Sequence, residues 1–159
     1  MIKFSSQRSH HGNAILEFAL VAMLFITILL TIAELSLMFW VTLSMQHAVR
    51  EGARFSITGL TTGAPPTDPT RYNAVIARIR DQSMGLYDAV SPVIVVQTVD
   101  NSGVLNVVGG KSFGDPGQIV VIRLDCQWPL ITPFLKPFFA NGRYDFSVSA
   151  TMRNENFTP

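Results

Sequence analysis

The sequence predicts an α+β protein: a long N-terminal transmembrane helix, then a small domain with a short helix and a 3–4-stranded antiparallel sheet. Apolar residues are concentrated near the N-terminus, and the rest of the chain shows one helical pattern followed by several strand patterns. The chain has 159 residues, of which 48% are hydrophobic and 14% charged, and its mean hydropathy is +0.30. That length leaves room for one domain of modest size beside such a helix.

The predicted membrane helix begins just after the basic N-terminus. Between Ala14 and Met45 the only ionisable residues are Glu17 and Glu34, and no proline or glycine occurs there. A helix of this length extends about 48 Å, which exceeds the roughly 30 Å of a hydrocarbon core. We therefore predict one continuous helix over residues 13–57, with its membrane-spanning segment at about 18–45.

The charges that flank this helix predict its orientation. The first eleven residues include Lys3, Arg8 and two histidines but no acidic residue, whereas residues 50–54 carry both signs of charge. By the positive-inside rule, the N-terminus lies in the cytoplasm and the C-terminal domain lies outside. Residues 50–159 hold ten basic and nine acidic side chains, a balance that suits a domain in water.

A loop and a short amphipathic helix are predicted next. Residues 58–70 are rich in threonine, glycine and proline, which indicates a loop. Thr67 or Asp68 is expected to cap the following helix, Pro69 to lie in its first turn, and Gly85 to end it. The predicted apolar stripe consists of Tyr72, Val75, Ile76 and Ile79, and the polar face of Arg71, Arg78, Arg80 and Asp81.

Strand patterns fill the rest of the chain. Segments 93–99 and 104–108 flank a short turn, and the mostly apolar segment 119–126 is typical of a central strand. Segment 143–153 alternates apolar and polar residues, as a half-exposed antiparallel strand does. Three prolines in the apolar segment 128–139 predict an irregular loop there.

A glycine and an isolated glutamate mark the start of the long helix. The basic leader, residues 1–12, ends in Gly12, and Glu17 follows five residues later within an apolar run. An unpaired carboxylate in lipid costs about 2.5–3.5 kcal/mol, so its presence requires a reason. This pattern resembles the class III signal of type IV pilins, in which a prepilin peptidase cuts directly after the glycine. The resemblance implies cleavage between Gly12 and Asn13.

Two further segments extend the resemblance to the TadE-like family of the tight-adherence (Flp) pilus systems. The helix-end segment 50–54, REGAR, is similar to a family box, and residues 152–155 are similar to the family's closing element. The family's TadE and TadF members are membrane-anchored minor pilins or pseudopilins. The candidate residues that these two segments supply are Arg50, Glu51, Gly52, Arg54, Met152, Arg153 and Glu155.

The resemblance implies a pilin-like fold and a non-enzymatic role in starting or assembling a Flp-type pilus. Asn13 then supplies a new α-amino group, Glu17 neutralises the charge of a neighbouring subunit, and the helix from Phe18 onward packs against other helices. The implied partners are a TadF-like protein, the major Flp pilin, the inner-membrane pilus platform, prepilin peptidase and membrane lipid. The implied location is the bacterial inner membrane, with a single pass and residues 71–159 in the periplasm, or the pilus itself.

Two alternatives remain open at this point. The chain could be an uncleaved bitopic anchor whose outer domain docks a secretion or pilus machine, or a secreted protein cut after Ala33, since Thr31 and Ala33 are small. The three hypotheses predict different N-termini, namely Asn13, Met1 and Glu34. Glu34 is itself expected near the outer interface, where it is either hydrated or in contact with a partner helix.

Other classes of function find little support in the sequence. The net charge of +1 does not favour nucleic-acid binding, and the single cysteine, Cys126, allows no intrachain disulfide. No spacing suggests a nucleophile with its base or a zinc site, so we predict no catalytic residue, no metal and no cofactor. Cys126 is expected to be a small buried hydrophobe, and residues 100–103 a turn rather than a calcium loop.

Overall fold

A computed structural model describes residues 11–65, 70–100 and 102–156 of the chain. Helix α1 runs from His11 to Ser56 without a break, so the prediction of one continuous helix is confirmed. Its 46 residues extend about 69 Å. Within the described ranges, one helix is long and apolar enough to cross a membrane, and it is α1.

A second helix, α2, spans Arg71–Gln82 and packs against the C-terminal part of α1. Its N-cap is Thr70, whose hydroxyl accepts a hydrogen bond from the Asn73 N–H at 3.3 Å. The cap is thus later than predicted, because Thr70 is the residue with extended backbone directly before the first turn. Thr67 and Asp68, which were predicted as caps, and Pro69, which was predicted in the first turn, lie outside the described residues.

The end of α2 leads into a short helix that the sequence did not predict. Ser83 is the C-cap, and Gly85 follows with a φ of +81°, a conformation that glycine adopts without strain. Helix α3 then spans Leu86–Val90, only five residues. A segment this short leaves too few residues for a helical period to be visible in the sequence.

The sheet has four antiparallel strands in the order β2-β1-β3-β4. This arrangement confirms the predicted α+β class and the central position of the third strand. The strand β3 continues beyond its predicted end because residues up to Pro129 still pair with the start of β4. Between β3 and β4, the predicted irregular loop contains two 3₁₀ turns, at Lys136–Phe138 and Ala140–Gly142. The strands are β1, Val93–Val99; β2, Leu105–Val107; β3, Ile119–Pro129; and β4, Arg143–Arg153.

The core lies between the three helices and one face of the sheet. The C-terminal half of α1 runs beside β4 in the same direction, and the Gln46 side chain donates a hydrogen bond to the Ser149 carbonyl at 2.9 Å. As predicted, Cys126 is buried and β4 alternates between core and solvent. The core residues are Val41, Met45, Ala48, Val49 and Ala53 of α1, Val75 and Ile79 of α2, Leu86, Tyr87 and Val90 of α3, Val96 of β1, Phe113 before β3, Val120, Ile122, Leu124 and Cys126 of β3, and Val148 and Ala150 of β4.

Candidate functional site: the two halves of the long helix

The N-terminal half of α1 does not contact the domain. Every side chain from residue 14 to residue 33 is exposed or half-buried, and the first buried one is Glu34. These twenty residues extend about 30 Å, the thickness of a hydrocarbon core. Their hydroxyl groups are satisfied within the helix, since Thr27 and Thr31 each donate to the carbonyl four residues earlier at 2.8 Å. The segment is therefore suited to a membrane or to packing with other helices.

Glu17 and Phe18 lie on this exposed half. Phe18 is 73% exposed, and the Glu17 side chain is exposed among apolar neighbours. Within the parts of the chain that the structure describes, the Glu17 carboxylate has no hydrogen bond or ion pair. The backbone of Gly12 and Asn13 lies in the first turn of α1, four to five residues before Glu17. An acidic group is thus presented outward from an apolar helix, where another molecule can reach it.

Glu34 marks the point where α1 meets the domain. Its side chain is 2% exposed, and its two carboxylate oxygens accept three hydrogen bonds from the loop after β3. The Ile131 and Thr132 N–H groups donate at 3.0 and 2.9 Å, and the Thr132 hydroxyl donates at 2.5 Å. A charged acceptor with three donors is stabilised even when buried, so Glu34 fixes this loop against the helix.

The expectation that Glu34 is simply hydrated is therefore wrong. Its partners are 97 and 98 residues away in the chain, a separation at which no local pattern could reveal them. Thr132 was missed for the same reason, although a polar residue between two prolines in an apolar loop was a signal available in the sequence. A contact between Glu34 and a partner helix stays a prediction.

The helix-end segment 50–54 forms the crossing between α1 and α2. An added Cβ at Gly52 would lie 2.2 Å from the Ile79 Cγ1 atom, far closer than van der Waals contact allows. Gly52 and Ala53 are buried, while Arg50 and Arg54 are exposed. The segment therefore joins the helix to the domain through its small residues rather than through its charges.

A hydrogen-bonded group around Arg71 joins the end of α1 to the domain. The Arg71 guanidinium donates to the Ser56 carbonyl at 3.0 Å, to the Gly114 carbonyl at 2.9 Å and to the Asn154 Oδ1 atom at 3.0 Å. Burial lowers the pKa of this guanidinium and the negative charge of Asp115 raises it, but an arginine stays charged at neutral pH. The prediction that Arg71 lies on the solvent face of α2 is wrong, because its side chain turns into this junction.

The C-terminal element, residues 152–155, completes the same junction. The buried Asn154 side chain donates to the Phe113 and Asp115 carbonyls at 3.0 and 2.9 Å. The Glu155 N–H donates to the Ile57 carbonyl at 3.1 Å, directly after the end of α1. The helix-end segment and the C-terminal element, which are about 100 residues apart, are thus brought to one end of the molecule.

The predicted residues of the C-terminal element have different surroundings. Met152 packs half-buried against the core, and the Arg153 Nε atom donates to the Gly117 carbonyl at 3.0 Å. Asn154, which was not among the candidate residues, makes three side-chain hydrogen bonds, more than Met152, Arg153 or Glu155. Its position within residues 152–155 was the only signal for it in the sequence.

The described residues offer little for chemistry on a bound ligand. No group of three or more histidine, cysteine, aspartate or glutamate side chains in the described ranges could hold a metal ion. Burial, with a smaller effect from the charge of Asp125, raises the pKa of the Cys126 thiol to about 12. A thiol with this pKa is protonated at neutral pH and is a poor nucleophile.

The architecture defines a class of protein, in which one apolar helix suited to crossing a membrane carries a small α+β domain on its C-terminal half. More particularly, residues 12–54 match the family model described as TadE-like protein. The match runs from Gly12 to the end of the helix-end segment, and it confirms the resemblance over these residues. The likeness of residues 152–155 to the family's closing element lies outside the match and stays a prediction. No curated protein and no solved structure shows significant similarity to the chain.

The family match indicates the biological setting. TadE-like proteins are structural proteins of Tad (Flp) pilus systems, so the match points to a role with the components of such a system. The long apolar helix fits a single-pass membrane anchor in that setting.

Proposed function

We propose that this chain is a minor pilin or pseudopilin that helps to initiate or assemble a Flp-type pilus. The observation that carries the proposal is the exposed N-terminal half of α1, with Glu17 and Phe18 facing outward from an apolar surface. That surface needs a partner, and in a pilus its partners are the same helices of other subunits.

The proposed mechanism begins with cleavage after Gly12. Asn13 then carries a positively charged α-amino group, which lies about 6 Å from Glu17 along the helix axis. When two such helices are shifted by this distance, the amine of one subunit meets the Glu17 carboxylate of its neighbour. The ion pair neutralises both charges in an apolar surrounding and sets the axial register between subunits.

The proposed division of the chain follows from the same mechanism. Residues 1–12 are the cytoplasmic leader, residues 13–57 the helix, residues 58–70 a loop, and residues 71–159 the periplasmic domain. The segment proposed to cross the membrane is the uncovered part of the helix, about 14–33, since Val41 and Met45 of the expected segment 18–45 lie in the core of the domain. We propose the bacterial inner membrane as the site of insertion. The proposed partners are a TadF-like protein, the major Flp pilin, the pilus platform and, during processing, prepilin peptidase.

The second candidate function is an uncleaved anchor whose periplasmic domain docks a pilus or secretion machine. It is favoured by the packing of the C-terminal half of α1 onto the domain, which is close at Gly52 and hydrogen-bonded at Arg71. Such a unit could hold a partner at a fixed height above the membrane without entering a filament.

The intact mass and N-terminal sequence of the protein from native membranes distinguish these functions. The minor pilin predicts a chain that begins at Asn13, and a Gly12→Val variant is expected to remain full length. A wild-type chain that begins at Met1 would refute pilin-type processing and favour the docking anchor. A start at Glu34 would indicate ordinary secretion instead.

A further inference from the structure

The loop between β3 and β4 presents an apolar surface beside the membrane helix. Within residues 130–139, three large side chains point away from the core: Ile131 is 63% exposed, Phe134 37% and Phe138 80%. The same segment contains no acidic residue and one basic residue, Lys136, which is exposed. Exposed phenylalanines at this density are unusual for a surface in water and mark an interaction site.

Glu34 fixes the position of this loop along α1. The three hydrogen bonds from Ile131 and Thr132 hold the loop at the level where the uncovered half of the helix ends. On the N-terminal side of Glu34, residues 14–33 of α1 extend about 30 Å, which matches the thickness of a hydrocarbon core. The loop is thus continuous with the one surface of the described chain that suits a membrane.

The loop's backbone is also suited to a surrounding of low polarity. The Leu135, Phe138 and Phe139 N–H groups donate to carbonyls within the loop, at 3.2, 3.0 and 3.2 Å. Its prolines, Pro133 and Pro137, have no N–H to satisfy. These internal bonds lower the cost of placing the loop at the boundary between lipid and water, where its other polar groups can still reach water.

Three half-buried aromatic residues lie on the adjoining strands, and two of them, Trp128 and Phe146, pack against the core. Trp128, near the end of β3, pairs in register with Tyr144, near the start of β4, and Tyr144 stacks on Phe146 with a centroid distance of 5.2 Å. Tyrosine is enriched where protein meets the boundary between hydrocarbon and water, and Tyr144 is the one of these three that is not packed against the core. Lys136 can extend toward lipid phosphate groups while its stem stays among apolar neighbours.

We propose that the 130–139 loop inserts into the lipid interface of the membrane that α1 crosses, with Ile131, Phe134 and Phe138 among the acyl chains. Glu34 is its positioning residue. The domain is thereby held on the bilayer at a fixed height and angle, because both α1 and the 130–139 loop attach it to the membrane. This proposal requires only that α1 is a membrane anchor, and it does not depend on cleavage or on a role in the filament.

The test measures the depth of a fluorescent probe in the full chain. Phe138→Cys and Val107→Cys, each in a Cys126→Ala background, are labelled with an environment-sensitive dye and reconstituted into vesicles of phosphatidylethanolamine and phosphatidylglycerol. Val107 is the matched control, because it is also an exposed apolar residue, at 68%, but lies in β2 at the other edge of the sheet. Brominated acyl chains are expected to quench the probe at 138 several-fold more than the probe at 107, and aqueous iodide the reverse.

Two results would overturn the proposal. Equal quenching by iodide at both positions would place the loop in water. Emission at 138 that is shifted to the blue without quenching by brominated lipid, and that grows with protein density in the vesicle, would assign the surface to a second copy of the chain.

Two further variants test whether Glu34 positions the loop. Glu34→Ala, and more mildly Thr132→Val, are expected to reduce lipid quenching at position 138 and to leave the probe at 107 unchanged. Unaltered quenching at 138 in Glu34→Ala would refute Glu34 as the positioning residue.

Discussion

Gly52 illustrates how a single residue determines the contact between two elements. Its missing side chain lets α2 approach α1 so closely that the Ile79 side chain occupies the space a Cβ would need. Glycine inside a helix costs roughly 1 kcal/mol relative to alanine, so its use here indicates that the close approach is worth more than helix propensity.

We expect Gly52→Ala to lower the free energy of unfolding of the domain by about 1–3 kcal/mol, because the overlap with Ile79 forces the helices apart. Urea denaturation in detergent micelles measures this. Gly109→Ala is the matched control, since a Cβ there meets nothing within 4 Å, and its expected effect is close to zero. Equal stability of Gly52→Ala and wild type would show that α2 can move aside without cost.

Cys126 gives a second prediction at the residue scale. Its folded pKa of about 12 lies above the roughly 8.5 of an unfolded thiol, so the folded state favours the neutral form. The resulting stability is complete below pH 8.5 and is lost progressively as the pH rises toward 12. At pH 8.5 we expect iodoacetamide to modify native Cys126 at least about tenfold more slowly than the urea-unfolded chain.

A surface cysteine provides the control for this measurement. Ser102→Cys in a Cys126→Ala background places a thiol in an exposed turn, and it is expected to react at similar rates with and without urea. Native modification of Cys126 as fast as that of the surface thiol would contradict its burial.

At the scale of elements, the junction around Arg71 and Asn154 holds α1, α2, the 113–118 segment and the end of β4 together. The Arg71 and Asn154 side chains donate to four main-chain carbonyls, those of Ser56, Phe113, Gly114 and Asp115. Loss of the Asn154 amide therefore leaves the buried Phe113 carbonyl without that donor, which costs more than the loss of an exposed hydrogen bond.

Asn154→Ala tests this junction. We expect the free energy of unfolding to fall by about 1–3 kcal/mol, because the Phe113 carbonyl loses its side-chain donor, the Asp115 carbonyl is left with the Gln118 N–H at 3.3 Å, and the Arg71 guanidinium loses an acceptor. Thermal denaturation followed by circular dichroism measures the change. Asn156→Ala, two residues further along and exposed, is expected to leave the midpoint unaltered. An equal effect of both variants would mean that the junction does not stabilise the fold.

At the scale of the whole molecule, the long helix divides the protein into two parts with separate tasks. Its C-terminal half builds the core of the domain, and its N-terminal half is uncovered and presents Glu17. A change at Glu17 should therefore affect assembly without affecting the stability of the domain, since no residue of the domain touches it within the described structure.

We expect Glu17→Gln to lower the number of pili per cell by at least about tenfold, because breaking a buried ion pair costs roughly 3–5 kcal/mol. Electron microscopy of cells measures piliation, and immunoblotting of membranes measures the amount of protein, which should not change. Thr27→Val is the control, since it alters another polar residue on the same half of the helix. Normal piliation in Glu17→Gln would remove charge neutralisation from the mechanism, whereas loss of the protein itself would point to a role in insertion.

The sequence by itself determined the features that depend on local periodicity. The uninterrupted apolar run produces one long helix, and the alternation in 143–153 produces a half-buried strand, because the period of the side chains matches the geometry of each element. Only the tertiary structure decided which partners the isolated polar side chains bind. Glu34 binds Thr132, and Arg71 binds Asn154, across 98 and 83 residues. Such partners are chosen by the packing of the sheet on the helix, since a buried charge must find its donors wherever the fold brings them.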